Sequence, residues 1–311
     1  MINMAHSHLP VAALSHPGMA GKNNEDSYAV SAYQIGVHDQ TPVLFAVVCD
    51  GIGGHWAGEV ASNLAVTQLN MAIAASDGRD PVNTLQAAFQ KASQVIFSQS
   101  QRDPAQKGMG STCVCALIIG DRLYTASMGD SRIYYIFGEH IQQLSKDHTW
   151  IQEALDAGLI TLDQVPGHPN AHVIRRYLGY SGVVEPDLRI YLQEGETDLQ
   201  ALSNQGMRLQ PGSFLLLCSD GLTDLVNDAE LSEIIKTNEL DQVPQRLIDL
   251  ACQRGGHDNI TAIVISVPER KNQEKKKYFP TASWFIMMGC LSLITIVSLI
   301  VLAFIGWRMF H

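Results

Sequence analysis

Up to residue 268 the apolar positions fall into two kinds of segment. Short runs rich in Val, Ile, Leu and Tyr, bounded by Gly, Asp, Asn or Ser, predict strands over 27–33, 43–49, 112–119, 123–127, 132–137, 213–218 and 260–267. Longer stretches with apolar residues every three or four positions predict helices over 57–76, 82–99, 150–157, 229–236 and 242–253. The pair Gly120-Asp121 predicts a tight turn between two neighbouring strands. Two long helices fall between strands that then run as hairpins. This grouping argues for an α+β fold with antiparallel sheets, not a doubly wound parallel sheet. There is no internal repeat and no glycine-rich nucleotide loop.

A different pattern ends the chain. From Phe279 to Trp307 no residue is charged, and Trp284 and Trp307 stand 23 residues apart, about 34 Å along a helix. Thirteen Leu, Ile, Val or Phe residues lie between them. At about −0.3 to −0.6 kcal/mol each they favour insertion by roughly 4–8 kcal/mol, and tryptophans at both ends suit an interfacial belt. A transmembrane helix is expected over 283–307. Arg270, Lys271, Lys275, Lys276 and Lys277 precede it and only Arg308 follows, so the positive-inside rule keeps the body in the cytoplasm. The expected organisation is a mobile tail over 1–13, a body over 14–268, a basic polar linker over 269–282, the span, and a far-side tail over 308–311. The linker is either a solvated spacer or a contact for anionic headgroups.

Charge sharpens this picture. The formal net charge is −10, and setting aside the last 43 residues leaves 15 basic against 29 acidic residues, a net of −14. Phosphate neutralisation needs clustered Lys and Arg, so nucleic acid is excluded as a partner. Cations suit such a body better. The six cysteines form no CxxC pair, which argues against zinc and for buried reduced thiols. The N-terminus lacks the basic and apolar regions of a secretory signal.

Several acids stand where an apolar run meets a loop: Asp50 in FAVVCDG, Asp220 in FLLLCSDG and Asp258 in GGHDNITAIVIS. Glu25-Asp26 precedes the first predicted strand, and Asp130 lies between two others. Singly, Asp-Gly after a strand marks a turn, as at Asp77-Gly78. Together they predict one cleft, because strand ends along one sheet edge converge. Two carboxylates at about 4 Å repel by roughly 4 kcal/mol at an effective dielectric near 20, so the cluster calls for protons or cations. Oxygen-only ligands select Mg²⁺ or Mn²⁺. A carboxylate bridging two such ions about 3.5–4 Å apart would hold a water that becomes a nucleophile toward phosphate esters at neutral pH.

The ordered set NNED, VVCDGIGGH..GE, GSTC, GDSRIY, KDHTW, SDGLTD and HDNITAIVI resembles the metal-dependent protein phosphatases of type 2C, over about residues 14–267. The resemblance implies a four-layer α-β-β-α sandwich of two antiparallel sheets flanked by helices. It implies hydrolysis of phosphoserine and phosphothreonine in proteins with two Mn²⁺ or Mg²⁺ ions and a third, looser one. Carried over, Asp50 would bridge two metals with the Gly51 carbonyl beside it, and Asp220 and Asp258 would complete the first shell. Glu25 and Asp26 would serve the second metal, and Asp130 with Asp220 the third. Asp224 would assist through water, and Asn259 is either a cap or part of the site. Residues 147–179 would form a flap that selects substrate proteins.

The sequence departs from the family twice. The family's phosphate-gripping arginine falls at Gly21, leaving Lys22, or Arg175 or Arg176 from the flap, for that role. Ile52 stands where eukaryotic members carry a histidine, and His55, three residues later, is the candidate general acid beside a capping or packing role. Two alternatives remain open: a catalytically inactive phosphoprotein-binding scaffold, and a hydrolase for small phosphate esters.

Overall fold

The structure, a computed structural model, describes residues 1–53, 57–193, 195–269, 298–302, 304–305 and 307–308. Met1–Glu269 form one compact unit and Arg270–His311 another. The first sheet is built from β1 (Ile2–Asn3), β3 (Ser27–Gln34), β4 (Pro42–Cys49), β7 (Cys113–Ile119), β8 (Arg122–Met128) and β11 (Met207–Arg208), in that spatial order. The second runs β10 (His140–Gln143), β9 (Arg132–Phe137), β12 (Phe214–Cys218), β13 (Ile260–Ser266) and β2 (Val11–His16). Every pairing is antiparallel. A small ribbon, β5 (Gly51–Ile52) with β6 (Gly110–Ser111), sits at the end of the first sheet.

Strand β4 shows why its sequence lacks polar alternation. Val43, Phe45, Val47 and Cys49 pack with the apolar faces of α1 (Ala57–Ala75) and α2 (Pro81–Arg102), while Leu44, Ala46 and Val48 meet Ile133, Leu215, Leu217 and Ile263 of the second sheet. A strand covered on both faces reads as one continuous hydrophobic run. On the far side, Leu216, Cys218, Ala262 and Val264 pack with Leu231 and Ile235 of α6 (Asp228–Thr237) and Leu247, Ile248 and Ala251 of α7 (Val243–Gln253). The expected four layers of helices, sheet, sheet and helices are present in the described unit. Helix starts are set by local chemistry: Asp80 accepts from the Asn83 amide at the head of α2, and Asn227 and Glu230 form a capping box on α6. Gly120, at φ +63°, makes the two-residue turn expected between β7 and β8.

One expectation is corrected. The first thirteen residues are no mobile tail: β1 pairs with β3, β2 pairs with β13, the Met1 ammonium donates to the Ala74 carbonyl, and His8 Nε2 lies 2.9 Å from the Gly120 carbonyl. The segment VAALSH is too short and too mildly apolar to announce a strand, and it becomes one because the edge of β13 offers unpaired backbone groups. Most of the span expected over 283–307 lies outside the described residues. Among the described residues no helix is long and apolar enough to cross a membrane.

Candidate active site: a carboxylate edge shared by two sheets

Register places the acids. Ser27 pairs with Cys49, Val48 with Val114 and Cys113 with Met128, so one end of the first sheet is a row whose next residues include Asp26 and Asp50. In the second sheet Arg132 pairs with Cys218, and Cys218 with Ala262, so Asp220, as the first residue of α5 (Asp220–Thr223), leaves from the same end. Asp130 lies in the crossing between β8 and β9, and Asp258 sits just ahead of β13. Strands 230 residues apart in sequence thus deliver five carboxylates to one edge. Glu25 joins them through its contact with the Gly58 amide at the start of α1, where a Cβ on Gly58 would strike the Glu25 carboxyl.

Hydroxyls and amides hold this edge in place. Ser219 Oγ and Thr261 Oγ1 donate to Asp26 Oδ2 at 2.7 and 2.6 Å. The Asp50 amide donates to Thr112 Oγ1 at 3.0 Å, and the Asp50 carbonyl accepts from Ser111 Oγ and the Thr112 amide. Asn259 ties three loops together: its Oδ1 accepts from the Glu25 amide at 2.7 Å, and its Nδ2 donates to the carbonyls of Pro17 and Asn23. It is a positioning residue. Gly51 is required by close approach, since a Cβ there would run into the Gly58 carbonyl.

The carboxylates themselves are left short of partners. Among the described residues five buried side-chain atoms lack a hydrogen bond, and three of them are Asp26 Oδ1, Asp130 Oδ1 and Asp220 Oδ1. Asp26 is pushed up to about 7 by burial, against the pull of Thr261 and Ser219 and with added repulsion from Asp220 and Asp258. Asp220 rises to about 6, through burial and then the charges of Asp224 and Asp258. Burial, with Asp26, Asp220, Asp130 and Asp258 nearby, drives Asp50 well above the carboxylate range; burial and Asp220 do the same to Asp130. Glu25 is raised by burial and by Asp258, and Lys22 partly offsets this. Buried, unpartnered, all-oxygen and mutually repelling groups fit hard divalent cations, which would supply the missing partners and the opposite charge. Asp26, Glu25, Asp50, the Gly51 carbonyl, Asp220, Asp258 and Asp130 are the groups able to hold them.

A cleft of about 150 Å³ opens beside this edge, lined by Asp130, Asp220, Asp224, Arg132, Asp147 and the flap residue His172. His172 Nδ1 lies 3.6 Å from Asp224 Oδ2, and one ligand atom each of His172, Asp220 and Asp224 falls within 4.8 Å of the others. In the sequence His172 is a lone histidine in a polar loop, and Ser219 and Thr261 are hydroxyl residues beside strands; neither kind carries a distinctive signal.

The candidate phosphate-binding residues separate. Lys22 is close enough to Glu25 to lower its pKa. Arg175 and Arg176 are not among the residues that line the cleft at Asp130 and Asp220. They line a different cavity, of about 410 Å³, with Met128, Tyr177, Tyr180 and Val184, and Arg175 Nε donates to Glu153 Oε2 at 3.1 Å. The Arg175 amide donates to the His148 carbonyl, and Leu178 exchanges two hydrogen bonds with Ser111, which pins both ends of the intervening stretch. His55 lies outside the described residues.

A family model for protein phosphatase 2C matches residues 19–154 and 206–260. The chain belongs to the protein phosphatase 2C family. Residues 155–205, which hold most of the flap, fall between the matched stretches. Serine/threonine protein phosphatase PstP of Mycobacterium tuberculosis is 34% identical over 260 residues, covering 83% of this chain and 45% of that protein, so the chain spans a little under half of that relative's length. Protein phosphatase PhpP of Streptococcus pneumoniae is 31% identical over 265 residues, covering 84% of this chain and 98% of PhpP. The crystal structure of the catalytic domain of PstP in complex with two manganese ions superposes with a TM-score of 0.68 at 34% identity, covering 84% of this chain and 99% of that one. By name PstP is a serine/threonine protein phosphatase and PhpP a protein phosphatase, and the catalytic domain of PstP holds two manganese ions in a fold this chain shares.

Proposed function

We propose that the chain hydrolyses phosphoserine and phosphothreonine in proteins as a metal-dependent phosphatase, anchored in a membrane by residues 283–307 with residues 1–268 facing the cytoplasm. One observation carries the catalytic part: Asp26, Asp50, Asp130, Asp220 and Asp258 gather at one sheet edge, with buried Oδ1 atoms of Asp26, Asp130 and Asp220 unpartnered. When bound there, Mn²⁺ or Mg²⁺, as two ions with a third beside Asp130 and Asp220, would activate water and offset charge on the phosphoryl oxygens. The residues of the chain supply position. Ser219 and Thr261 fix one oxygen of Asp26 and leave the other free, and Thr112 and Ser111 hold the backbone on either side of the Asp50 peptide. Lys22, beside Glu25, supplies a cationic charge at this edge for an incoming phosphate. In the reaction water adds to phosphorus, the bond from phosphorus to the seryl or threonyl oxygen breaks, and the alcohol leaves with a proton. The membrane part is supported by the uncharged stretch from Phe279 to Trp307 and by the five basic residues ahead of it.

The test uses the full chain in detergent micelles with a phosphothreonine peptide, Mn²⁺ titrated against EDTA, and Asp50→Asn as control. Phosphate release that requires metal and is lost in the variant is expected. Tight peptide binding without release would instead indicate a scaffold, and preference for a nucleotide over every phosphopeptide would replace the substrate class. For the anchor, carbonate washing should leave the chain in the membrane, and protease should digest residues 1–268 only from the cytoplasmic side. Release into the wash would overturn the anchor.

A further inference from the structure

Beside the carboxylate cleft, the 410 Å³ cavity lined by Arg175, Arg176, Tyr177, Tyr180, Val183 and Glu185 has no part in the chemistry described so far. Its walls are fixed by the fold. The Leu178 amide and carbonyl bond Ser111 on β6, the Gly179 amide donates to Ser93 Oγ on α2, and the Tyr177 ring packs against Gly110 so closely that a Cβ there would collide with it. Tyr177 and Tyr180 meet edge to face at 6.2 Å. Arg175 is engaged with Glu153, whereas Arg176 makes no ion pair and no side-chain hydrogen bond among the described residues. It is exposed, in a body whose net charge before residue 269 is −14. Val183 and Tyr180, 85% and 55% exposed, add apolar surface beside it.

The geometry points to this cavity as a second substrate subsite, which takes an anionic side chain of the phosphoprotein while its phosphorylated residue lies at the carboxylate edge. The inference rests on the phosphatase reading and deepens it. Three features carry it. The flap segment links the two places, since His172 lines the carboxylate cleft and Arg175 and Arg176 line the cavity. Four residue steps from His172 to Arg176 reach at most about 14 Å, which an extended substrate covers in about four residues. The guanidinium of Arg176 is uncommitted and planar, matched to a carboxylate or a phosphate, and flanked by tyrosine and valine surface for the chain that carries it. An acidic side chain and a second phosphoserine share this chemistry, and the test separates them.

Phosphothreonine peptides carrying one Glu, one phosphoserine, one Ala or one Lys at each position from two to six residues on either side of the phosphothreonine are turned over by the full-length chain with Mn²⁺. The readout is the ratio of kcat/KM between anionic and Ala peptides, in which differences in enzyme folding cancel. A preference of roughly two- to five-fold is expected near four residues' separation, the size of one exposed ion pair. It should be larger for phosphoserine than for Glu if the natural ligand is a second phosphate. Arg176→Glu should reverse the ratio in favour of the Lys peptide. A ratio of one at every position, or a preference that Arg176→Glu leaves in place, would overturn the subsite. Release from no peptide would overturn the phosphatase reading instead. In that case fluorescence anisotropy of the labelled peptides on Asp50→Asn still decides the subsite, by the same ratio taken on Kd.

Discussion

Two groups of buried acids in this molecule behave in opposite ways. Asp187, 6% exposed, accepts from Arg189 Nε at 2.8 Å and from the Arg189 amide at 2.9 Å, and lies 3.3 Å from His148 Nε2. Although burial alone would raise it, these donors hold its carboxyl well below the usual range. Asp26 and Asp130, each 7% exposed, are just as deep, yet both are driven upward and each keeps an oxygen with no partner. Burial is the same in the two regions; pairing differs. Asp187 works within the scaffold: His148 accepts from the Gly129 amide on its other nitrogen, which links the network to the loop bearing Asp130. The carboxylate edge has the all-oxygen, mutually repelling chemistry that suits hard cations.

The sharpest way to break this contrast is to substitute one acid in each group. Asp50→Asn should lower phosphate release by about a thousandfold or more, the several kcal/mol that metal-assisted charge stabilisation supplies. Its folding in EDTA should be no weaker than wild type, because a repelling charge has gone; a collapsed fold would remove the distinction. Asp187→Asn should do the reverse, costing about 3 kcal/mol in urea denaturation, within the range for breaking a buried pair. Asp198, which bonds Arg189 at 2.8 Å, limits the loss.

Metal removal probes the edge as a whole. At Mn²⁺ a hundredfold above Kd, binding to the folded chain contributes about 2.7 kcal/mol. EDTA should therefore lower Tm by roughly 5–10 °C in the wild type, and by clearly less in Asp220→Asn. Thr261→Val, which removes one donor from Asp26 and keeps the side-chain shape, should weaken Mn²⁺ binding by about 10–100-fold in a calorimetric titration. Unchanged affinity would mean that Ser219 alone orients Asp26.

The smallest effect lies in pH. Asp26 at about 7 and Asp220 at about 6 titrate higher folded than unfolded, so the folded chain holds more protons between about pH 4 and 7. In EDTA their contribution to stability should fall as pH rises through that window, and saturating Mn²⁺ should flatten the slope. Asp187 has the opposite sign: its contribution is complete above about pH 4 and disappears as pH falls toward its lowered folded value. Tm measured from pH 3 to 8, with and without Mn²⁺, in wild type and Asp187→Asn, checks both arms.

Much of the fold was legible because the apolar runs are long and their ends chemically marked. Strand β4 was placed to within a residue by its eight-residue span Pro42–Cys49, and α2 begins at the Asp80-Pro81 cap. Strand β2 was missed because nothing inside VAALSH requires extension; β13, about 250 residues later, imposes it. The acids Asp26, Asp50, Asp130, Asp220 and Asp258 were legible as strand-end residues and as family motifs. Their partners were not. Ser219, Thr261 and Thr112 are ordinary polar residues until register brings them against a carboxylate.

The sequence alone determined that the body is acidic, that its strands end in carboxylates, and that a long uncharged stretch follows a basic linker. Those properties belong to single residues and short windows. Only the tertiary structure decided that Asp26 keeps one oxygen free while Asp187 keeps none, and that Arg175 and Arg176 line a cavity other than the cleft at Asp130 and Asp220. Whether a buried charge is satisfied depends on which donors the fold brings to it: Arg189 beside Asp187 in sequence, but Ser219 and Thr261 about two hundred residues from Asp26. No local pattern encodes where the distant ones will stand.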